Sequence, residues 1–218
     1  MALASPKLRA LAQRSASFEP VRDTQRTFRV LLDVMARPGT IQQLPVAAVA
    51  APVNPWLAAV LVTLLDHEVS LAVGAFDGPD GLERFVRQRT ACKAVLADRA
   101  DFVVTSWDSL DPSLPLRLRT GTLEYPNDGA TLLLLVPTLA QDDPAALLLG
   151  LAGPGIPAGH SLRVPGLPAA FFSARDEAAE YPCGIDLILI DPDGRVAALP
   201  RSTTVLAHDV PASMPASR

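Results

Sequence analysis

The apolar residues of this chain recur at helical spacing in four segments, which the pattern predicts as helices. The first segment ends at the stop signal Arg37-Pro38-Gly39. The second begins at Asn54-Pro55, where asparagine supplies an N-cap and proline suits the first helical position. The fourth ends before Tyr181-Pro182. The predicted helices span residues 23–35, 56–66, 78–88 and 167–180.

Short apolar runs between the helices predict strands at residues 69–73, 102–105, 131–136, 147–151, 185–190 and 195–199. The runs at 131–136 and 147–151 are bounded by Gly and Pro, which is typical of strands buried on both faces. Asp191-Pro192-Asp193-Gly194 has the residues of a hairpin turn, so the last two strands are expected to form an antiparallel pair. Helices that alternate with strands before a final hairpin predict a three-layer α/β domain with a mixed sheet.

The two ends of the chain differ from its middle. Residues 1–17 carry cations and no acid, and they lack the apolar core of a secretory signal, so we predict a mobile N-terminal extension. Residues 207–218 are rich in Pro, Ser and Ala and predict a frayed C-terminal tail. Residues 18–206 are then a single domain, which is long enough to enclose one core.

Composition adds two constraints on the class of protein. Hydrophobic residues make up 49% of the chain and its mean hydropathy is +0.26, so a large core can form and a membrane span has to be considered. The long uncharged stretches at 40–65 and 144–162 are interrupted by prolines, which excludes an unbroken spanning helix. The net charge of −4 argues against a general nucleic-acid binder, whose affinity comes from clustered cations. Small molecules or other proteins are the expected partners.

The usual signatures of catalysis and metal binding are missing from the sequence. Cys92 and Cys183 are too few and too far apart for a disulfide scaffold, which favours a reducing cytoplasm. At Cys183 a buried, inert thiol is favoured over a nucleophile. The three histidines have no partners at ligand spacing, so no metal site is predicted. Neither the nucleophile-elbow string nor the P-loop string is present.

Two features of the apolar C-terminal half are candidates for binding. Gly153 and Gly155 lie in a turn directly after a predicted strand, where main-chain NH groups could cradle an anion, although a structural tight turn is favoured. Asp186 lies inside an apolar strand, and a carboxylate there must have a partner. A structural pairing with an arginine or with main-chain NH groups is favoured for Asp186.

The segment after the last predicted strand concentrates polar groups. Arg201, Ser202 and Thr203 place a guanidinium beside hydroxyls, which suits recognition of a phosphate or carboxylate. A surface arginine with hydroxyls that cap the local backbone is an equally good interpretation. Our hypothesis is that Arg201 contributes more to assembly or ligand capture than to folding.

Several segments are distinctive in combination: residues 27–39 (TFRVLLDVMARPG), 121–131 (GTLEYPNDGAT), 182–189 (PCGIDLIL) and 199–204 (LPRSTT), with the turn LAGPGI at 151–156. Together they resemble the PhnH family of bacterial phosphonate metabolism proteins, and the resemblance covers roughly residues 20–205. Arg201-Ser202 stands where the family pattern has Arg-Thr, a change that keeps the hydroxyl.

The resemblance implies a cytoplasmic subunit of the carbon-phosphorus (C-P) lyase complex. That complex forms α-D-ribose 1-methylphosphonate 5-triphosphate from ATP and an alkylphosphonate. The resemblance further implies association with the other Phn subunits, and a homodimer for the isolated chain. It also implies a fold similar to the large domain of transferases that use pyridoxal phosphate, without that cofactor. Catalytic residues are expected in a partner subunit, so none is assigned to this chain.

Two hypotheses about function follow from the sequence. Lys7 and Lys93 are the only lysines, and neither has a recognisable Schiff-base context, so no cofactor is predicted. The favoured hypothesis is a complex subunit that acts through protein interfaces. The alternative is a free-standing transferase that holds a phosphorylated substrate with Arg201 and the Gly153–Gly155 turn.

Overall fold

The computed structural model describes residues 18–45, 54–74, 79–142, 146–178 and 180–208. Its helices are α1 (Pro20–Ala36), α2 (Pro55–Leu64), α3 (Pro79–Thr90) and α4 (Ala169–Ala178). Its strands are β1 (Gln42–Gln43), β2 (Ser70–Val73), β3 (Lys93–Ala94), β4 (Phe102–Ser106), β5 (Thr131–Leu135), β6 (Leu147–Ala152), β7 (Ser161–Val164), β8 (Asp186–Ile190), β9 (Arg195–Leu199) and β10 (Thr204–His208).

The four predicted helices are present, with ends that differ from the prediction by at most three residues. Each begins where the local chemistry favours a start. The Glu19 carboxylate accepts hydrogen bonds from the main-chain NH groups of Val21 and Arg22 at the start of α1. Asn54 caps α2 as predicted, and its Oδ1 accepts from the NH groups of Trp56 at 2.9 Å and Leu57 at 3.0 Å.

Seven strands form a mixed sheet in the order β1-β9-β8-β5-β4-β2-β3. The strands from β3 to β8 in this order are parallel, and β9 and β1 are antiparallel to their neighbours. The predicted antiparallel pairing of the last hairpin is confirmed by β8 and β9. A buried carboxylate organises its turn, because Asp191 accepts from the NH groups of Leu139, Asp193 and Arg195.

The main sheet is covered on both faces, and each face has its own core. Helices α1, α2 and α3 cover one face, where Leu133 of the central strand β5 packs among their leucines and valines. The opposite face carries Leu132 and Leu134 and packs against a small antiparallel sheet, β10-β6-β7, together with α4. Phe171 and Phe172 of α4 are fully enclosed there, with ring centroids 5.2 Å apart in an edge-to-face arrangement.

The small sheet corrects two of the sequence predictions. Residues 147–151 were predicted as a strand buried on both faces, but β6 alternates between buried and half-buried positions. The reason is that β6 pairs antiparallel in a sheet with one face against the core. Ala207 and His208, predicted as the start of a frayed tail, belong to β10. Residues 1–17 and 209–218 lie outside the described residues.

None of the helices within the described ranges is both long and apolar enough to cross a membrane. The likeness to the large domain of pyridoxal-phosphate transferases stays a prediction.

The cap of α2 generates the first testable prediction. Replacing Asn54 by Ala removes the acceptor for two NH groups at the start of a buried helix, so the free energy of unfolding should fall by about 1 kcal/mol. Asn54→Asp should preserve most of the stability, because aspartate is an equally good cap. Urea denaturation of the three proteins measures the difference. Equal midpoints for Asn54→Ala and the wild type would show that the cap does not stabilise the fold.

Candidate functional site

Most of the sequence-predicted site residues meet at the amino end of β8. Strand β9 runs antiparallel to β8, so the residues that follow β9 lie beside the residue that starts β8. Arg201 therefore meets Asp186. Its Nη2 lies 2.5 Å from Asp186 Oδ2, and its Nε lies 3.2 Å from both carboxylate oxygens. The main-chain NH of Arg201 adds a hydrogen bond of 2.8 Å to Asp186 Oδ1.

Arg201 also forms hydrogen bonds to the neighbouring loop at residues 121–131. Its Nη1 donates to the carbonyl of Pro126, and its Nη2 lies 3.4 Å from the carbonyl of Gly129. A Cβ on Gly129 would lie 2.3 Å from the carbonyl oxygen of Gly184 and 2.6 Å from Arg201 Nη1, so only glycine fits there. The ion pair thus joins β8, the turn after β9 and the distinctive loop at 121–131.

These contacts favour a structural role for Arg201, and the hypothesis that it serves assembly or ligand capture more than folding stays a prediction. Each of its three side-chain nitrogens already donates within the protein. The side chains of Arg201 and Asp186 are 16% and 15% exposed, so the pair is largely withdrawn from water. The partner that the sequence argument required for Asp186 is Arg201.

The glycine turn after β6 is a structural close approach, the interpretation that the sequence favoured. A Cβ on Gly153 would lie 2.7 Å from the carbonyl oxygen of Ser202. Gly155 has φ +75°, and a Cβ there would lie 2.2 Å from the carbonyl oxygen of Ala36 at the end of α1. The turn therefore packs closely against the end of α1 and the turn after β9, so a side chain fits at neither position.

A second ion pair lies further along the same edge. Asp101, just before β4, accepts from the NH and hydroxyl of Ser70 at 2.8 and 2.6 Å, and Arg119 Nη1 lies 2.7 Å from it. Burial opposes the ionisation of Asp101, but the Ser70 hydrogen bonds and the Arg119 charge together hold the pKa of its carboxyl below the usual value. The pairs Arg119–Asp101 and Arg201–Asp186 thus lie at the amino ends of the parallel strands β4 and β8.

The structure adds one site residue that the sequence reasoning missed. Arg175 of α4 is 6% exposed, and its guanidinium donates to the main-chain carbonyls of Thr203, Pro200 and Leu199 at 3.1, 2.7 and 3.4 Å. The one available signal was its helical spacing from Phe171, which places both residues on the buried side of α4.

Arg175 and its neighbours line a cleft of about 290 Å³ between α4 and the turn after β9. Arg201 and the hydroxyl-bearing Thr203 and Thr204 also line it, and Ser202 does not. Asp176 lies at this cleft with its side chain half exposed, and its Oδ1 is 3.5 Å from Arg175 Nη1. Burial lowers the pKa of Arg175 and raises the pKa of Asp176. The cleft is rich in hydrogen-bond donors.

A second cleft, of about 250 Å³, lies at the carboxyl ends of β2 and β4, where open α/β sheets commonly bind ligands. Its polar groups include Asp111 and Arg117, which lie 2.7 Å apart. The NH and hydroxyl of Ser113 together with Arg117 hold the pKa of Asp111 at about 2. The charges of Asp111 and Arg117 offset each other.

The remaining candidate residues are distributed over the fold. Cys92 is buried, whereas Cys183 is half-buried and lines the cleft beside Arg175. Lys93 is exposed at the start of β3, and Lys7 lies outside the described residues. No group of three or more His, Cys, Asp or Glu side chains in the described part of the chain is arranged to hold a metal ion.

Removal of Arg201 tests the structural assignment. Arg201→Ala leaves Asp186 without its partner in a largely dry environment, so the free energy of unfolding should fall by about 3–5 kcal/mol. Arg117→Ala, which breaks a half-exposed pair, is the control and should cost about 0–1 kcal/mol. Urea denaturation gives both values. A near-native stability of Arg201→Ala, with loss of growth on a phosphonate, would instead support the role in assembly or ligand capture.

The Asp101 pair predicts a pH dependence. The pKa of Asp101 is lower in the folded than in the unfolded chain, so its ionised form stabilises the fold above about pH 4, and that contribution is lost as the pH falls through the folded-state pKa. Asp101→Asn should therefore melt below the wild type at neutral pH, and the gap should narrow in acid. Melting temperatures between about pH 7 and pH 3 measure it. A gap of constant size would contradict the assignment.

Comparison with known proteins gives one family. The model of the family described as bacterial phosphonate metabolism protein (PhnH) matches residues 16–206. The chain is 32% identical over 188 residues to the α-D-ribose 1-methylphosphonate 5-triphosphate synthase subunit PhnH of Rhizobium meliloti (strain 1021), which covers 85% of this chain and 91% of the relative. It is 32% identical over 182 residues to HtxG of Stutzerimonas stutzeri, named for a C-P lyase subunit, with 83% and 85% covered. The chain belongs to the PhnH family of bacterial phosphonate metabolism proteins.

Proposed function

We propose that this protein is a subunit of a C-P lyase complex in phosphonate catabolism, and that it supports the formation of α-D-ribose 1-methylphosphonate 5-triphosphate through contacts with other subunits. The names of the two relatives support this proposal, since one is a subunit of the synthase of that compound and the other is named for a C-P lyase subunit. The observation that carries it in this chain is the outer face of α1.

The outer face of α1 is apolar although it faces solvent. Val21, Phe28 and Leu32 are 80%, 45% and 53% exposed, and their spacing places them in one stripe along the helix. The adjoining face of α1 is buried through Thr27, Leu31 and Val34. An exposed stripe of large apolar side chains on an ordered helix is typical of a surface that a protein partner covers.

A row of arginines defines the chemistry of the partner. Arg22, Arg26 and Arg29 are exposed and recur at helical spacing beside the apolar stripe. Two copies of this face packed together would bring like charges close, which disfavours self-association here. The occupant that fits is another subunit of the complex, with an apolar ridge flanked by carboxylates.

The geometry gives less support to the alternative, a free-standing transferase that uses Arg201 and the Gly153–Gly155 turn. Arg201 is engaged in the pair with Asp186, and the turn at Gly153 and Gly155 is closed by main-chain contacts. The homodimer of the isolated chain and its cytoplasmic location remain part of our proposal, on the basis of the family resemblance. Any such homodimer should use a surface other than the arginine row.

Substitution on α1 tests the docking surface. The double variant Phe28→Ser/Leu32→Ser removes two exposed apolar side chains, so the isolated protein should keep its stability within about 0.5 kcal/mol. Loss of two central apolar contacts should weaken assembly with the co-expressed subunits of the complex at least about tenfold. Growth on methylphosphonate as sole phosphorus source should fall with it. Leu96→Ser/Leu123→Ser, which changes two exposed leucines elsewhere, is the matched control.

The results for the α1 variant distinguish another subunit from a second copy of this chain as the partner that covers the stripe. Copurification and growth at the wild-type level for the α1 variant would overturn the docking assignment. A change from dimer to monomer in light scattering of the isolated α1 variant would show that a second copy covers the stripe instead.

A further inference from the structure

The cleft beside α4 is lined by the buried guanidinium of Arg175, which forms an ion pair with the half-exposed Asp176. We infer that this cleft binds a tetrahedral oxyanion, the phosphate or phosphonate group of a small molecule, through the guanidinium of Arg175 and the hydroxyl of Thr203. This function goes beyond subunit docking, and the cleft shares no residue with the outer face of α1.

The surroundings of Arg175 favour an anion in the cleft. Its guanidinium is 6% exposed and donates to three main-chain carbonyls, which are dipoles and carry no net charge. Asp176, the acid with which it forms an ion pair, is 3.5 Å away and half exposed to water. A buried charge is costly unless it is paired, and the lowered pKa of Arg175 has the same cause. An anion in the cleft would remove this cost.

Two hydrogen-bond donors beside the cleft are unused. Arg175 Nε and Thr203 Oγ1 are both buried and have no hydrogen-bond partner in the part of the chain that the structure describes. Buried polar groups in native proteins are nearly always hydrogen-bonded, so these two groups indicate an absent acceptor. Both residues line the same cleft. A charged donor beside a hydroxyl is an arrangement that favours an oxyanion.

The volume of the cleft suits a small anionic molecule. The cleft volume of about 290 Å³ is at the lower limit of small-molecule sites, which run from about 300 to 1,000 Å³. It accommodates a phosphate or phosphonate group with a short substituent. Arg201 lines the cleft as well, but it is paired with Asp186, whose charge also acts on Arg175, so the donors left for an anion are those of Arg175 and Thr203.

Two substitutions with opposite expected effects test the inference. Thr203→Val removes a hydroxyl that has no partner, so the protein should fold as stably as the wild type while its Kd for inorganic phosphate and for methylphosphonate rises about fivefold. Asp176→Asn removes a half-exposed carboxylate that competes for Arg175, so both Kd values should fall about fivefold. Isothermal titration calorimetry at constant ionic strength measures them.

The controls keep the test decisive. Arg117→Ala removes a cation at the other cleft and should leave both Kd values unchanged. Arg175→Ala is a poor test, because it also frees the carbonyls that hold the turn after β9. Wild-type affinity in both Thr203→Val and Asp176→Asn would overturn the inference, as would a wild-type protein that binds neither anion. The Phe28→Ser/Leu32→Ser variant should bind phosphate normally, so failure of docking and failure of anion binding are distinguishable.

Discussion

The ion pair between Asp186 and Arg201 is the constraint on which the rest of the amino edge depends. Because β8 and β9 are antiparallel neighbours, the turn that follows β9 places Arg201 beside Asp186, the first residue of β8. The same guanidinium then anchors the loop at Pro126 and Gly129. Arg175 donates to carbonyls of the turn after β9 and of the end of β9, so the pair also supports one wall of the cleft beside α4.

The molecule separates its two proposed tasks in space. The outer stripe of α1 is apolar, exposed and flanked by arginines, which suits a protein surface. The cleft beside α4 is small and presents buried donors, which suits one anionic group. Binding at either surface needs no general acid, general base or nucleophile.

Sequence reasoning succeeded where the information is local. Helical periodicity, the Asn54 cap and the turn at Asp191 all act over a few residues, so α1 to α4 and the β8–β9 hairpin could be predicted. The small sheet depends on the pairing of β6 with β10, which joins distant segments, and periodicity carries no signal for it. The contacts of Arg201 and Arg175 could not be predicted for the same reason, because both side chains bind carbonyls that are distant in the sequence.

The order of the strands in the main sheet has a consequence for synthesis of the chain. Strand β1 near the N-terminus pairs with β9, Gln42 opposite Val196, and α1 packs against the same late strand. The nascent helix α1 therefore has no sheet to lie on until the last hairpin has been made. A chain that ends before β9 would lack the strand against which both β1 and α1 pack.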